Sequence, residues 1–314
     1  MSRLSREPVY LVDASIYIFQ AWFSPHYLVS SSGGDDLSAF FGFAQFLQRF
    51  LRQTRPQQVA IAFDESLFCG FRHTLYPAYK SNRELPDAQL ACQLEACAAL
   101  APLMGVPAWG SRVYEADDII GTLARRVAPQ PVCIVSRDKD LAQLLRRDDD
   151  HLWDYTANTR RFRTDIERQY GIRAEQIPDY LGLVGDAVDA IPGVPGIGPV
   201  AARALLQHFG SLEQLYENLE DVALLSYRGA GKAAHLLRTH EPAARLSRQL
   251  ATIVDSVDDP AEAFSRTGSE CLRWRRPDIE GIARLLASLD MAPLAQERFL
   301  TLMHGLQPAT EGAL

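Results

Sequence analysis

The chain has 314 residues, 47% hydrophobic and 23% charged, and 32 Lys+Arg against 39 Asp+Glu give a formal charge of −7. This composition suits a folded enzyme of about two domains and excludes a disordered or collagen-like chain. At first sight the acidity also argues against nucleic acid, since phosphate binding leaves a basic footprint.

Three short apolar runs read as buried parallel strands of an α/β sheet, and each ends on acid. Pro8-Val9-Tyr10-Leu11-Val12 runs into Asp13 and Val59-Ala60-Ile61-Ala62-Phe63 into Asp64. Pro131-Val132-Cys133-Ile134-Val135 runs into Ser136-Arg137-Asp138-Lys139-Asp140. Ligands bind outside the carboxyl ends of such strands, so these acids are expected on one rim. An Asp after a strand also caps a helix, and that simpler role stays open.

Between the second and third runs lies a stretch, 65–112, far longer than a crossover needs. It opens with Phe71-Arg72-His73-Thr74-Leu75-Tyr76-Pro77-Ala78-Tyr79-Lys80-Ser81-Asn82-Arg83 and continues as a helix from about Asp87 to Met104. Lys80 and Arg83 stand i, i+3. They are either a solvated basic turn or a cationic pair that stabilises charge on a phosphodiester in its transition state. Tyr76 and Tyr79 either pack in the core or stack on a terminal base. Lysine is rare in this arginine-biased chain, which has only Lys80, Lys139 and Lys232, so a retained ammonium is itself a hint.

Glu115-Ala116-Asp117-Asp118 then opens a helix. The helix dipole favours acid there, but three acids exceed what it needs. From about residue 176 the pattern changes to helices with tight Gly/Pro turns, centred on Gly185-Asp186-Ala187-Val188-Asp189-Ala190-Ile191-Pro192-Gly193-Val194-Pro195-Gly196-Ile197-Gly198. A helix is expected from Pro199 to Gly210, and Ser211 with Gln214 marks the next one. Exposed amides of Gly193, Gly196, Ile197 and Gly198 at a helix N-terminus suit phosphate oxygens, although a Gly/Pro turn is often only a turn. Residues 256–273 read as a linker, followed by helices near 277–289 and 294–303 and a frayed tail from 305.

The recurrent acids are Asp13, Asp64, Glu115, Asp117, Asp118, Asp138, Asp140, Asp186 and Asp189. So many carboxylates on one rim repel unless a hard cation neutralises them, and Mg²⁺ and Mn²⁺ prefer oxygen ligands. Two such ions activate water and stabilise the leaving oxygen in phosphodiester hydrolysis. The nine acids more than account for the net charge of −7, which removes the objection to a nucleic-acid partner. The five cysteines, with no CxxC pair, signal neither a disulfide framework nor a zinc site. No apolar run approaches the roughly 20 residues of a membrane span, and the N-terminus lacks a signal-peptide core. A cytoplasmic protein with no membrane partner is expected.

In order along the chain, these stretches resemble the 5′→3′ exonuclease and flap endonuclease family, most of all the nuclease domain of bacterial DNA polymerase I and its free-standing relatives. The resemblance implies a mostly parallel central sheet flanked by helices, a helical arch and a helix-hairpin-helix domain. It implies a nuclease core over 1–175 with the arch at about 76–103, a helix-hairpin-helix region over 176–260, C-terminal helices over 261–304 and a tail over 305–314. One metal site would use Asp13, Asp64, Glu115, Asp117 and Asp118, and the second Asp138, Asp140, Asp186 and Asp189. Lys80 and Arg83 would be the catalytic basic pair, with Arg72, Tyr76, Tyr79 and the hairpin glycines contacting DNA. Carbonyls of Leu183, Val184, Pro192, Val194 and Ile197 would hold K⁺. The expected partner is DNA with 5′ single-stranded flaps or ends, cut by a monomer in replication or repair. A branched-DNA-binding paralogue that cuts poorly is the competing reading, and retention of all nine acids weighs against it.

Overall fold

The computed structural model describes residues 7–24, 26, 29–227 and 229–308; residues 1–6 and 309–314, the latter most of the expected tail, lie outside them. In chain order the elements are β1 (Val9–Asp13), α1 (Ala14–Trp22), α2 (Ser38–Thr54), β2 (Val59–Asp64), α3 (Phe71–Leu75), α4 (Ala88–Leu103), β3 (Ala108–Ser111), α5 (Ala116–Arg126) and β4 (Val132–Val135). Next come β5 (His151–Asp154), β6 (Thr159–Phe162), α6 (Arg163–Tyr170), α7 (Ile177–Val184), α8 (Pro199–Phe209), α9 (Leu212–Glu217), α10 (Ala230–Thr239) and α11 (Glu241–Ala251). Helices α12 (Ile279–Ser288) and α13 (Pro293–His304) close the chain. None of the described helices is long and apolar enough to cross a membrane.

The chain forms two compact units that interleave along the sequence: Met1–Leu67, Leu85–Ser136 and Asp255–Leu314 in the first, Phe68–Glu84 and Arg137–Val254 in the second. The division differs from the boundary expected near 175. The acidic segment from Arg137 and the basic turn at 76–84 both belong with the helical region.

The first unit is α/β. Strands β3, β2, β1 and β4 lie side by side in that order, all parallel. Their side chains are apolar on both faces because helices cover both, and Val9, Leu11, Val59, Ile61 and Ile134 are fully buried. Helix α2 repeats Phe40, Phe43, Leu47, Phe50 and Leu51 at helical spacing, all buried. The Tyr17 ring of α1 stacks on Phe46, and Phe43 meets Phe63 of β2 edge-on at 5.8 Å. Because the four strands are parallel, Asp13, Asp64 and Ser136 all fall at the same edge.

Residues expected to form the back of an arch are instead core. Helix α4 buries Leu90, Gln93, Ala96, Cys97 and Leu100, and packs against α2 and α12. The Gln93 Oε1 accepts the N–H of Phe40 at 3.1 Å. Its alanine and cysteine content, with few charges, is that of a packed helix. Trp274 Nε1 donates to the Met104 carbonyl at 2.9 Å just past its end, which ties the C-terminal segment to this unit.

The second unit is mainly helical, with the antiparallel ribbon β5–β6. Pro199 starts α8, and Gly210 ends it at φ 84°, a left-handed conformation suited to glycine. Ser211 caps α9 by accepting the N–H of Gln214 at 3.2 Å.

Removing the ring of Phe43, which is 0% exposed, leaves a cavity under the sheet. Phe43→Ala is expected to lower stability by about 3–5 kcal/mol, read as a reduced midpoint in thermal or urea unfolding.

Candidate metal-dependent nuclease site

Each of the two units holds a set of acids. In the first, Asp13 ends β1 and caps α1: its Oδ1 accepts the N–H of Ser15 at 3.1 Å, and its Oδ2 accepts the Ser136 hydroxyl at 3.1 Å. Asp64 ends β2, and its Oδ1 accepts both the N–H (3.0 Å) and the hydroxyl (2.8 Å) of Ser66. Glu115 precedes α5, where Asp118 closes a capping box by accepting the Glu115 N–H at 3.0 Å. Asp13, Glu115 and Asp118 are buried, and Asp117 is half-buried in the first turn of the same helix. Capping is thus present at Asp13, as the simpler reading allowed, and also at Asp118, where the sequence had suggested only the helix dipole. It engages one oxygen of a carboxylate that has two.

In the second unit, Asp138 Oδ1 accepts the N–H of Asp140 at 2.8 Å, and Asp186 Oδ1 accepts that of Val188 at 2.8 Å. The Asp186–Ile191 loop closes on itself by a pair of backbone bonds, Asp186 N–H to the Ile191 carbonyl (2.9 Å) and Ile191 N–H to the Asp186 carbonyl (2.8 Å). Cations reach these acids: Lys139 Nζ lies 3.1 Å from Asp186 Oδ2, and Arg83 Nη2 lies 2.6 Å from Asp189 Oδ1. Burial pushes the Asp140 carboxyl up to about 7, with Asp138, Asp186 and Asp189 adding to the effect and Lys139 opposing it. Asp138 is also raised, by burial first and by Asp189, against the Asp140 N–H and the charges of Lys80 and Lys139. Burial works against the Lys139 charge, but Asp140 and the bond to Asp186 outweigh it, so its pKa is raised.

Among the described residues no three Asp, Glu, His or Cys side chains are gathered into a ready-made cation cage. The donor chemistry nevertheless fits a hard divalent ion. Both sets are all oxygen, and in the second unit burial, with repulsion from the neighbouring acids, already drives Asp140 towards its neutral form.

The basic pair sits in the second unit. Lys80 is 6% exposed, at φ 50°, with its ammonium 5.0 Å from the centre of the Tyr79 ring. Arg83 is more exposed and pairs with Asp189. Tyr76 is half-buried.

Two expected DNA contacts are corrected. Arg72 is buried, and its guanidinium donates to the carbonyls of Leu250 and Thr252, both at 2.8 Å, at the end of α11. It satisfies carbonyls that the helix end leaves over. Tyr79 is buried too, with its ring edge-on to His73 at 5.5 Å, so it packs rather than offers a stacking face.

In the hairpin, Gly193 donates its N–H to the buried hydroxyl of Ser247 at 2.9 Å, and Ile197 donates to the Val194 carbonyl at 3.0 Å. Those two amides hold the hairpin together and are not offered outwards. Gly193 must be glycine: φ is 65°, and a Cβ would lie 2.4 Å from the Gly185 nitrogen. Gly196 and Gly198 are exposed, the latter as N-cap of α8. Of the five carbonyls matched to a K⁺ site, that of Leu183 accepts the Val194 N–H at 2.8 Å and that of Val194 accepts the Ile197 N–H. Each carbonyl keeps a second lone pair. Val184, Pro192 and Ile197 are near neighbours in the same hairpin.

The sequence alone did not single out Ser66, Ser136 or Ser247. Ser66 stands two residues after the strand-end acid Asp64 and was within reach of a local reading, whereas Ser136 lies 123 residues from Asp13. Ser247 lies 54 residues from the amide it accepts, with no local sign.

A family model described as the 5′-3′ exonuclease N-terminal resolvase-like domain matches residues 8–173, and one described as the 5′-3′ exonuclease C-terminal SAM fold matches 172–270. The chain belongs to the 5′-3′ exonuclease family. A 5′-3′ exonuclease of Buchnera aphidicola is 33% identical over 256 residues, covering 81% of this chain and 88% of that protein. DNA polymerase I of Bacillus subtilis is 34% identical over 289 residues, covering 88% of this chain but 31% of the polymerase. The chain thus spans under a third of that longer relative. Among solved structures, a complex of bacteriophage T5 flap endonuclease with DNA and metal ions aligns at TM-score 0.62 and 18% identity, covering 95% of this chain and 99% of that one. That likeness speaks for the fold: a mostly parallel sheet flanked by helices, with a SAM-like helical region. As a member of this family the chain is a nuclease that hydrolyses phosphodiesters.

Two outcomes follow from the geometry. Asp140 in the folded chain holds a proton up to about pH 7, whereas in the unfolded chain it releases it near its ordinary value of 3.8. Between those values the folded state binds the extra proton, so stability falls as pH rises. In excess EDTA the melting temperature is expected to drop between about pH 4 and pH 7, and Asp140→Asn to flatten that slope. Separately, Arg72→Met leaves the Leu250 and Thr252 carbonyls without their charged donor. It is expected to cost about 2–3 kcal/mol of stability while leaving DNA affinity of the folded variant unchanged in a binding titration.

Proposed function

We propose that the chain is a structure-specific 5′→3′ exonuclease and flap endonuclease that acts on DNA in replication or repair, as a cytoplasmic monomer using two divalent ions, Mg²⁺ or Mn²⁺. The observation that carries this reading is the acid set of the second unit. Burial first, and then the neighbouring charges of Asp138, Asp186 and Asp189, lift Asp140 to about 7, and the basic turn of Lys80 and Arg83 is bonded to the loop of Asp189. Asp13, Asp64, Glu115, Asp117 and Asp118 would hold one ion, and the four acids of the second unit the other. When bound, such ions activate water and stabilise the leaving oxygen.

The protein groups supply the rest. Serine hydroxyls and backbone amides hold the carboxylates in fixed orientation, as with Ser136 on Asp13 and Asp140 N–H on Asp138. Lys80, buried and held over Tyr79, presents a fixed positive charge to the phosphoryl oxygens in the transition state. Arg83 is more exposed and meets the incoming phosphate. Gly196, Gly198 and the N-terminus of α8 bind backbone phosphates of the duplex without reading sequence, because amides and a helix dipole recognise only the oxyanion. K⁺ held by carbonyls of Leu183, Val184, Pro192, Val194 and Ile197 would add positive charge at the same place. The likeness to a flap endonuclease solved with DNA and metal ions supports 5′ flaps as substrate.

The test is cleavage of a labelled 5′-flap duplex. Mg²⁺ or Mn²⁺ is expected to give product and EDTA none. Asp117→Ala and Asp138→Ala are expected to lose at least about 10²-fold in rate while retaining flap binding. Tight binding with no product from the unaltered protein would favour the branched-DNA-binding paralogue instead.

A further inference from the structure

We propose that Asn82 is a positioning residue, clipping the turn that carries Lys80 and Arg83 to the loop that carries Asp186 and Asp189. The proposal deepens the nuclease reading above and rests on it.

Three bonds join the two segments, all within the second unit. The Lys80 N–H donates to the Asp189 carbonyl at 3.0 Å, Asn82 Nδ2 donates to the Val188 carbonyl at 3.0 Å, and Arg83 Nη2 donates to Asp189 Oδ1 at 2.6 Å. Both segments are conformationally strained at the join. Lys80 has φ 50° and Ala190 has φ 56°, left-handed values that residues with a Cβ adopt at a cost. Such strain persists only where the surroundings hold it in place.

The three bonds are not equivalent. The Arg83 bond ends on the Asp189 carboxylate, so a cation at that carboxylate competes with it. The Lys80 bond is made by the strained residue itself. Asn82 is an uncharged side chain bonded to a backbone carbonyl, and a cation on the carboxylates does not compete for that carbonyl. Asn82 therefore keeps the Lys80 turn in register with Asp189 in every state of the acids. Its amide is spent on the Val188 carbonyl, so it acts through Lys80 and Asp189.

The experiment has one arm independent of catalysis. In hydrogen–deuterium exchange of the full chain in EDTA, the Lys80 amide reports the turn, and the Asp186 and Ile191 amides report the loop. Asn82→Ala and Asn82→Asp both remove the donor, and the exposed position leaves no buried hole. Each is expected to speed exchange in both segments together by about tenfold, while Asn82→Gln, which keeps the amide, restores protection. In flap cleavage the donorless variants are expected to lose about tenfold in kcat with KM within about twofold, because displacement of a catalytic group by a fraction of an ångström slows the chemical step more than binding. Asn82→Gln is expected to recover most of kcat. Unchanged exchange at 186–191 in the donorless variants, a loss confined to KM, or failure of the glutamine to rescue would overturn the proposal. If the unaltered protein cuts nothing, the nuclease reading fails, and the exchange arm still decides whether Asn82 clips the two segments.

Discussion

In Asp13, Asp64, Asp138 and Asp186, one carboxylate oxygen accepts the backbone N–H of the residue two places on, at 2.8–3.1 Å. The bond is short-range, so each acid carries it wherever the fold places it. It satisfies an amide that a strand end or loop leaves over, and it fixes the side-chain torsion without distant support. A carboxylate held in this way still has its second oxygen. In Asp13 that oxygen takes the Ser136 hydroxyl, and in Asp186 it takes Lys139. Capping and ligation therefore do not compete as explanations for these residues. The cap fixes the direction in which the remaining oxygen points, and the rest of the site depends on that direction being fixed before any cation or substrate arrives.

Burial then gives these oriented groups their chemistry. A partly buried carboxylate among like charges resists ionisation, and in the second unit that resistance is large enough to bring Asp140 to about 7. The cations available in the same unit do not cancel it. Lys139 serves Asp186 and Arg83 serves Asp189, both from positions nearly half exposed, where solvent screens them. Lys80, the buried one, lies over the Tyr79 ring and lowers the Asp138 carboxyl, yet burial still leaves Asp138 raised. The unit thus keeps acid in excess of buried base, a state that favours taking up a divalent cation and releasing protons as it binds.

The strand-end acids were legible because a parallel sheet needs continuous apolar strands, and because the residues that follow are forced to one edge. The ends of α4 and α8 were legible for local reasons: Asp87 as cap, Pro199 at a first helical turn, Gly210 at a left-handed close. Arg72 and Tyr79 were misread because their motif is polar and aromatic, which looks the same whether it faces DNA or an interior. The fate of Arg72 depends on the end of α11, 178 to 180 residues away, whose last carbonyls needed a donor, and Tyr79 packs on His73. Within the segment expected as an arch, 76–103, the packed face of α4 went unread for a similar reason. A long insertion with a helical period does not state which neighbour its apolar face will find, and α4 finds α2 and α12. Strand β3 was hidden because Ala108-Trp109-Gly110-Ser111 lacks β-branched residues and owes its extension to pairing with β2.

The hairpin shows how little of a Gly-rich segment is left for a ligand once the fold has taken its share. Gly193 is required by its φ and by the closeness of the Gly185 backbone, and its amide goes to Ser247. Ile197 is buried, and its amide closes the turn on Val194. The two glycines that remain at the surface are one inside the turn and one at the mouth of α8. A grip made of two amides and a helix end is weak by itself. Under the proposed function the rest of the hold comes from the same unit. The Lys80 N–H is bonded to the Asp189 carbonyl and Arg83 to the Asp189 carboxylate, so cationic groups stand beside the acids that would cut, and a phosphate is gripped at that point rather than along a broad face.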